Sequence, residues 1–206
     1  METLEAMRTT GTCRYFKPDP VPDELLMRAF DAARFAPQGG NRQPVRWVVV
    51  RDAGLRRALR DLYLPVWERY LARLSAAAGG RPARAGAADQ FARALHEVPV
   101  LAIACAELES LMATDDHLDR LSIVGGASVY PHVQNFCLAC RDLGVATALT
   151  TLLCRREAEV KELLGIPDGF ATAAHLAVGF PARPWPRKLR RRPVEETVGF
   201  DRWMGG

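Results

Sequence analysis

The stretch Arg34-Phe35-Ala36-Pro37-Gln38-Gly39-Gly40-Asn41-Arg42-Gln43-Pro44 divides a helical pattern from a strongly apolar run. On its N-terminal side Leu26, Ala29, Phe30 and Ala33 recur at i, i+3, i+4 and i+7, the spacing of one buried helix face. Asp23 and Glu24 after Pro22 mark the start of that helix, and Pro37 stops it. On its C-terminal side Val45 to Val50, with Trp47, reads as a buried strand. Two adjacent glycines let the backbone turn sharply and approach a ligand closely. Asn41 and Gln43 add uncharged donors and acceptors. Two readings are open: a plain helix-to-strand connector, or a grip on the polar edge of a flat cofactor.

Working outward, the pattern continues as alternating helices and strands. From about Asp52 to Ala78 it is helical, with Leu55, Leu59, Leu62, Val66, Leu71 and Leu74 among charges. Tyr63, Trp67 and Tyr70 fall on this helix, either packed on the body or forming a lid over a flat aromatic ligand. Gly79 to Gly86 reads as a flexible loop that suits a lid edge. A short helix from about Ala87 to Glu97 leads into a buried strand, Val98 to Cys105. Gly125-Gly126-Ala127-Ser128 opens a second major helix that ends near Gly144. Val145 to Leu153 and Ala171 to Val178 read as strands, with a helix from Arg155 to Leu164 capped by Gly165 between them. The order implies one α+β or α/β layered domain with roughly four core strands.

Composition narrows the function classes. The chain has 206 residues, 49% hydrophobic and 25% charged, with a net charge of +4. That is ordinary for a globular domain. No apolar run approaches the roughly 20 residues that span a bilayer. Met1-Glu2-Thr3-Leu4-Glu5 lacks the basic-then-apolar build of a signal peptide, so a cytoplasmic protein is expected. The basic excess gathers at Arg183, Arg187, Lys188, Arg190, Arg191 and Arg192. Only Trp185 interleaves with it, among prolines, which argues against a nucleic-acid surface. Five cysteines, an odd number, argue against a disulfide framework. Cys137 and Cys140 share the apolar helix face with Val133 and Phe136 and read as packing residues, not a metal site. His117 has no partner at useful spacing and reads as a surface residue. Phe200 and Trp203 in the tail are costly to leave in water, so the tail is expected to dock on the body or on a partner subunit.

No dinucleotide-binding glycine fingerprint, Walker lysine motif, serine elbow or zinc-protease motif occurs. Few histidines and no paired carboxylates argue against hydrolysis by general acid and base. Chemistry in such a chain falls to a bound cofactor.

Several segments together resemble the FMN-dependent nitroreductase family. They are Arg14-Tyr15-Phe16, Pro18-Asp19-Pro20-Val21-Pro22-Asp23-Glu24-Leu25, Ala36-Pro37-Gln38-Gly39-Gly40-Asn41-Arg42-Gln43-Pro44, Leu143-Gly144-Val145-Ala146 to Thr151, Leu164-Gly165-Ile166-Pro167 and Val178-Gly179-Phe180-Pro181. Their order matches over nearly the whole chain. The chain is especially like the actinobacterial branch that carries a long helical insertion after the first strand. The resemblance implies an α+β, nitroreductase-like layered fold in a single domain, residues 1–206. A central mixed sheet of four to five strands would be flanked by helices, with a helical insertion or lid at about 52–97 and a docking tail at about 181–206. It implies an intertwined homodimer with two FMN sites at the subunit interface.

By position, Thr10, Thr12 and Arg14 match the family's N-terminal cofactor segment, with Arg14 near the flavin N1 and C2 carbonyl. Pro37, Gln38, Gly39 and Asn41 would reach the flavin of the partner subunit. Thr150 and Thr151 match the segment whose backbone lies against the isoalloxazine. The C-terminal phosphate grip falls on Arg190, Arg191 or Arg192. The resemblance assigns no catalytic acid or base and no metal. Three departures stand out: Thr10 and Gly11 where the family carries arginines, Gln38 for its usual serine, and Val45 for a tryptophan that appears here as Trp47. Each charge-assisted hydrogen bond lost at the phosphate is worth on the order of 1.5–3 kcal/mol. The implied activity is oxidoreduction in ping-pong order, with NADH or NADPH as donor and a nitroaromatic, a quinone or a similar small molecule as acceptor. The alternatives are a pathway-specific flavin-dependent dehydrogenase or desaturase, and a flavin binder without turnover. No nucleic acid and no membrane is implied as partner.

Overall fold

The computed structural model describes residues 1–77, 79 and 86–204. Among them six α-helices and four β-strands follow in the order α1 (Thr3–Thr9), α2 (Asp23–Ala33), β1 (Val45–Val50), α3 (Ala53–Ala77), α4 (Gly86–Arg93), β2 (Val100–Glu107), α5 (Tyr130–Asp142), β3 (Ala146–Thr150), α6 (Glu157–Leu164) and β4 (Phe170–Gly179). The loop expected between Gly79 and Gly86 lies, apart from those two glycines, outside the described residues. No described helix is long and apolar enough to cross a membrane.

The strands form one sheet, β1-β2-β4-β3. Every ladder in it is antiparallel, which corrects the expected mixed sheet while keeping the expected α+β class and strand number. The reason is the position of β4. It pairs antiparallel with both β2 and β3, so these two run the same way without touching. A register shift between Ala104 and Cys105 kinks the central pair.

Each face of the sheet carries its own core. On one face α2 and α5 cover Val100, Ala102, Ala104, Leu176 and Val178. The small alanines leave room for an aromatic knot. Phe136, fully buried, stacks on Phe30 with ring centroids 4.6 Å apart and meets Trp47 at 5.0 Å. Cys137 and Cys140 lie in this core as packing residues, and burial pushes both thiols up. On the other face α3 lays Leu59, Tyr63 and Trp67 against Val50, Leu101, Ile103 and Ala177. Asp52 caps α3 by accepting from the Leu55 amide at 2.8 Å. Trp67 donates to Asp89 at 2.9 Å, which pins α4 to α3. Pro65 interrupts the α3 hydrogen-bond ladder at an exposed position.

Several boundaries differ from the sequence pattern. Thr3–Thr9 is helical although only Ala6 and Thr9 are buried, so no apolar period announces it. The second major helix starts at Tyr130, with Pro131 in its first turn, and not at Gly125. A Cβ at Gly126 would stand 2.6 Å from the Tyr130 ring, so the glycine turn and the helix start are built together. Strand β3 stops at Thr150, five residues into the longer expected run, because the Thr150 hydroxyl accepts from the Leu152 amide at 3.2 Å and turns the chain.

Two buried imidazoles make the fold acid-sensitive. His175 on β4 is 2% exposed, and neither ring nitrogen makes a hydrogen bond of good geometry. Burial lowers its pKa from 6.5 to about 4, a little offset by the Thr150 backbone. Burial also lowers the His132 pKa, and Trp47 donates to its Nε2 at 3.2 Å, a bond only the neutral ring accepts. Both folded values lie below the unfolded ones. The stability they hold is therefore complete above pH 6.5 and lost as pH falls towards 4. For His175 the interval from 6.5 to about 4 corresponds to roughly 3 kcal/mol at about 1.4 kcal/mol per pH unit. Urea midpoints measured across that interval should fall with pH, and H175L should flatten the slope. An equally steep slope in H175L would contradict this assignment.

Candidate functional site

The segment Thr10 to Phe16 and the chain after β4 meet side by side as both leave the sheet. The Cys13 amide donates to the Thr147 carbonyl on the open edge of β3 at 2.9 Å. Lys17 donates to Phe180, Ala182 donates to Tyr15, and Phe16 bridges to Pro181. Between the two segments opens a cavity of about 510 Å³. Thr10, Thr12 and Arg14 line one wall, and Arg183, Trp185 and Arg191 the other. Three guanidinium groups thus converge on one space.

The neighbours fix these groups. Arg183 lies 3.3 Å from the Tyr15 ring centroid, and Arg141 lies 4.1 Å from that of Trp185. Arg141 also donates to the Thr9 hydroxyl at 3.2 Å. The Thr10 hydroxyl donates back to the Ala6 carbonyl at 2.6 Å, which leaves it only as an acceptor toward the cavity. At Gly11 a Cβ would stand 3.1 Å from Leu189, so the tail closes tightly over this turn. Of the three candidate tail arginines, Arg191 lines the cavity, while Arg190 and Arg192 are not among its lining residues. Arg183, Tyr15 and Trp185 are the residues that sequence reasoning missed. The signal was present in the basic tail, but their place depends on the bridge at Phe16 and Pro181.

Arg14 also reaches the α3 face of the sheet. Burial raises the Tyr63 phenol pKa, opposed by a hydrogen bond with the Thr150 side chain and then by the Arg14 charge. Arg14, Tyr63 and Thr150 therefore belong to one neighbourhood. Tyr63 and Trp67 are buried packing residues, while Tyr70 is 42% exposed. Thr151 is exposed and opens the turn after β3.

The Pro37–Asn41 stretch lies elsewhere. It precedes β1, the edge strand opposite β3. Three strand spacings separate those edges, roughly 14 Å. Its backbone is unusual: Gly40, Asn41 and Gln43 have φ of 58°, 53° and 51°. Glycine adopts this freely and asparagine tolerates it, but Gln43 is strained there. The Gly39 amide donates to Ser128 at 3.0 Å. The Gln38 side chain turns back, its Nε2 donating to the carbonyls of Arg34 and Ala36 at 3.3 and 3.4 Å. Its Oε1 is buried and has no partner among the described residues. A second cavity of about 660 Å³ opens between this stretch and residues 110–128. Asp115 holds that opposing loop, accepting from Arg120, Ser122 and the Ile123 amide.

Other expectations concern the surface. His117 is 71% exposed and beside Asp116. Phe200 and Trp203 are each 88% exposed, so the tail end does not dock on the body of its own chain.

The residues fit a phosphate-bearing planar cofactor. Guanidinium groups suit a phosphate. Thr150 offers a polar contact in the Arg14 neighbourhood.

Known proteins share this sequence pattern and this fold. The family model described as Nitroreductase family matches residues 7–180. An NADH dehydrogenase of Thermus thermophilus is 27% identical, over 90% of this chain and 89% of its own length. A 5,6-dimethylbenzimidazole synthase of Rhodospirillum rubrum is 28% identical, over 91% of this chain and 83% of its own. Among solved structures, the fold is shared with the NADPH:FMN oxidoreductase of Vibrio harveyi in complex with NAD+. That match has a TM-score of 0.69 and 20% identity, over 98% of this chain and 77% of the other. A Clostridium difficile protein of the same family gives a TM-score of 0.67 at 18% identity, over 98% and 100% of the two chains.

Proposed function

The chain belongs to the nitroreductase family, and from that premise we propose that it is an FMN-dependent oxidoreductase drawing electrons from NADH or NADPH. The observation that carries the reading is the arginine-lined cavity where Thr10, Thr12 and Arg14 face Arg183 and Arg191. Bound FMN would supply reversible two-electron chemistry, with the donor leaving before a nitroaromatic, quinone or similar acceptor enters.

The chain's own residues hold and orient. Arg183 and Arg191 meet the phosphate, replacing the charge that Thr10 and Gly11 lack. Arg14 sets positive charge where the reduced ring system gains negative charge. Thr150 and Thr151 offer backbone against the ring. No residue is assigned as a dedicated acid or base.

The site is completed by a second copy of the chain. Pro37, Gln38, Gly39 and Asn41 stand on the edge of the sheet opposite Arg14, so in this reading they serve the partner's cofactor. A homodimer also gives the exposed Phe200 and Trp203 a surface to cover them. In this reading residues 1–206 are one domain, with α3 and α4 as the helical insertion and residues 181–206 as the docking tail.

The test is flavin content. Purified protein should be yellow, or take up added FMN, and elute as a dimer. N41A and R191A should each lower flavin retention, whereas N41G, which keeps the left-handed backbone, separates side-chain from backbone effects. A colourless protein that ignores FMN overturns the reading. NAD(P)H consumption with quinones, set against oxygen uptake with reduced substrates, separates a general reductase from a pathway dehydrogenase.

A further inference from the structure

A third cavity, of about 230 Å³, opens between α3 and the turn that follows β3. Arg69 and Arg73 lie four residues apart, so they share one face of α3. Arg155 approaches from the other wall, beside Thr151. No carboxylate lines the space. Two other arginines of α3 are engaged: Arg56 donates to the carbonyls of His96 and Val98, and Arg60 pairs with Asp61. Glu68, the acid next to Arg69, faces Arg93 instead, at 3.7 Å. Among the described residues, Arg69, Arg73 and Arg155 make no ion pair and no side-chain hydrogen bond. Three exposed like charges lining one small cavity make it electropositive and favour an anion there. Planar guanidinium forks match phosphate oxygens in particular.

Tyr70 adds a second kind of contact. Its ring lines the same cavity, is braced on Trp67 at 5.8 Å, and is 42% exposed. A braced, open aromatic face suits a flat heterocycle. The cavity also adjoins the cofactor neighbourhood. Thr151 follows Thr150, whose side chain meets Tyr63 within reach of the Arg14 charge.

We propose that Arg69, Arg73 and Arg155 bind the phosphate groups of the nicotinamide dinucleotide that reduces the protein, with its adenine on Tyr70. This rests on the flavin reading for the identity of the donor; the phosphate site itself does not. The cavity is separate from the one lined by Arg14, Arg183 and Arg191, so each phosphate-bearing ligand has its own arginines.

Calorimetric titration of the flavin-saturated protein with 2′,5′-ADP and with ADP-ribose tests this. R69Q/R73Q and R155Q should each bind at least one probe tenfold or more weakly. Loss confined to 2′,5′-ADP assigns the 2′-phosphate, and with it NADPH. Loss confined to ADP-ribose assigns the pyrophosphate. KM for the donor should rise by a similar factor while kcat stays within twofold and flavin content is unchanged. Unaltered binding of both probes in both variants overturns the proposal. So does inorganic phosphate binding through these arginines when neither nucleotide binds, because the ligand is then another phosphorylated molecule. A protein that holds no flavin yet binds the probes through these arginines would sink the flavin reading and leave the phosphate site standing.

Discussion

R14A is expected to bind FMN roughly 10- to 100-fold more weakly than the parent, the largest loss from any single cofactor-site change. Arg14 lines the main cavity with Arg183 and Arg191, and its charge also reaches Tyr63. It thus bridges the phosphate-like end and the ring-like end of the site. A hydrogen bond to a charged group contributes about 1.5–3 kcal/mol, and about 1.4 kcal/mol is a factor of ten. Fluorescence titration of the flavin-free protein would read the change directly. R187A removes equal charge from the C-terminal tail, outside the cavity lining, and should leave affinity within about twofold, since charge that does not touch the ligand is screened. Equal losses in the two variants would mean that tail charge in general, and not this cavity, attracts the cofactor.

F136A is expected to destabilise the chain by about 3–5 kcal/mol. The ring is wholly buried between Phe30 and Trp47, over a sheet surface of alanines that cannot swell to refill the hole. F136L, which keeps much of the volume, should cost less than half as much. Chemical denaturation gives both values. A loss below about 1 kcal/mol in F136A would mean that the α2–α5 face collapses to fill the space, contrary to the close packing seen there.

The parts of the fold legible in the sequence are those set by local chemistry. Pro22-Asp23 starts α2 and Gly165 ends α6 with φ of 66°, while α2 stops at Ala33, four residues before the Pro37 expected to end it. What was not legible depends on distant partners. The antiparallel sheet follows from β4 inserting between β2 and β3, which no local pattern encodes. The α1 helix is nearly all exposed and lacks an apolar stripe.

The candidate site divides in the same way. The Gly39-Gly40-Asn41 turn declares its backbone by composition, yet the left-handed Gln43 beside it does not. Arg191 could be narrowed from three adjacent arginines only once Leu189 was seen against Gly11. Arg183 reaches the cavity wall beside Tyr15, where the Ala182 amide donates to the Tyr15 carbonyl. Of the aromatic series on α3, Tyr63 and Trp67 pack on the body, while Tyr70 is 42% exposed.

The walls of the arginine-lined cavity come from segments on either side of the sheet-forming stretch, residues 10–15 before β1 and 181–191 after β4. All four strands can therefore pair with only one wall in place. On the flavin reading, a chain cut beyond residue 180 is expected to keep its sheet and lose its cofactor.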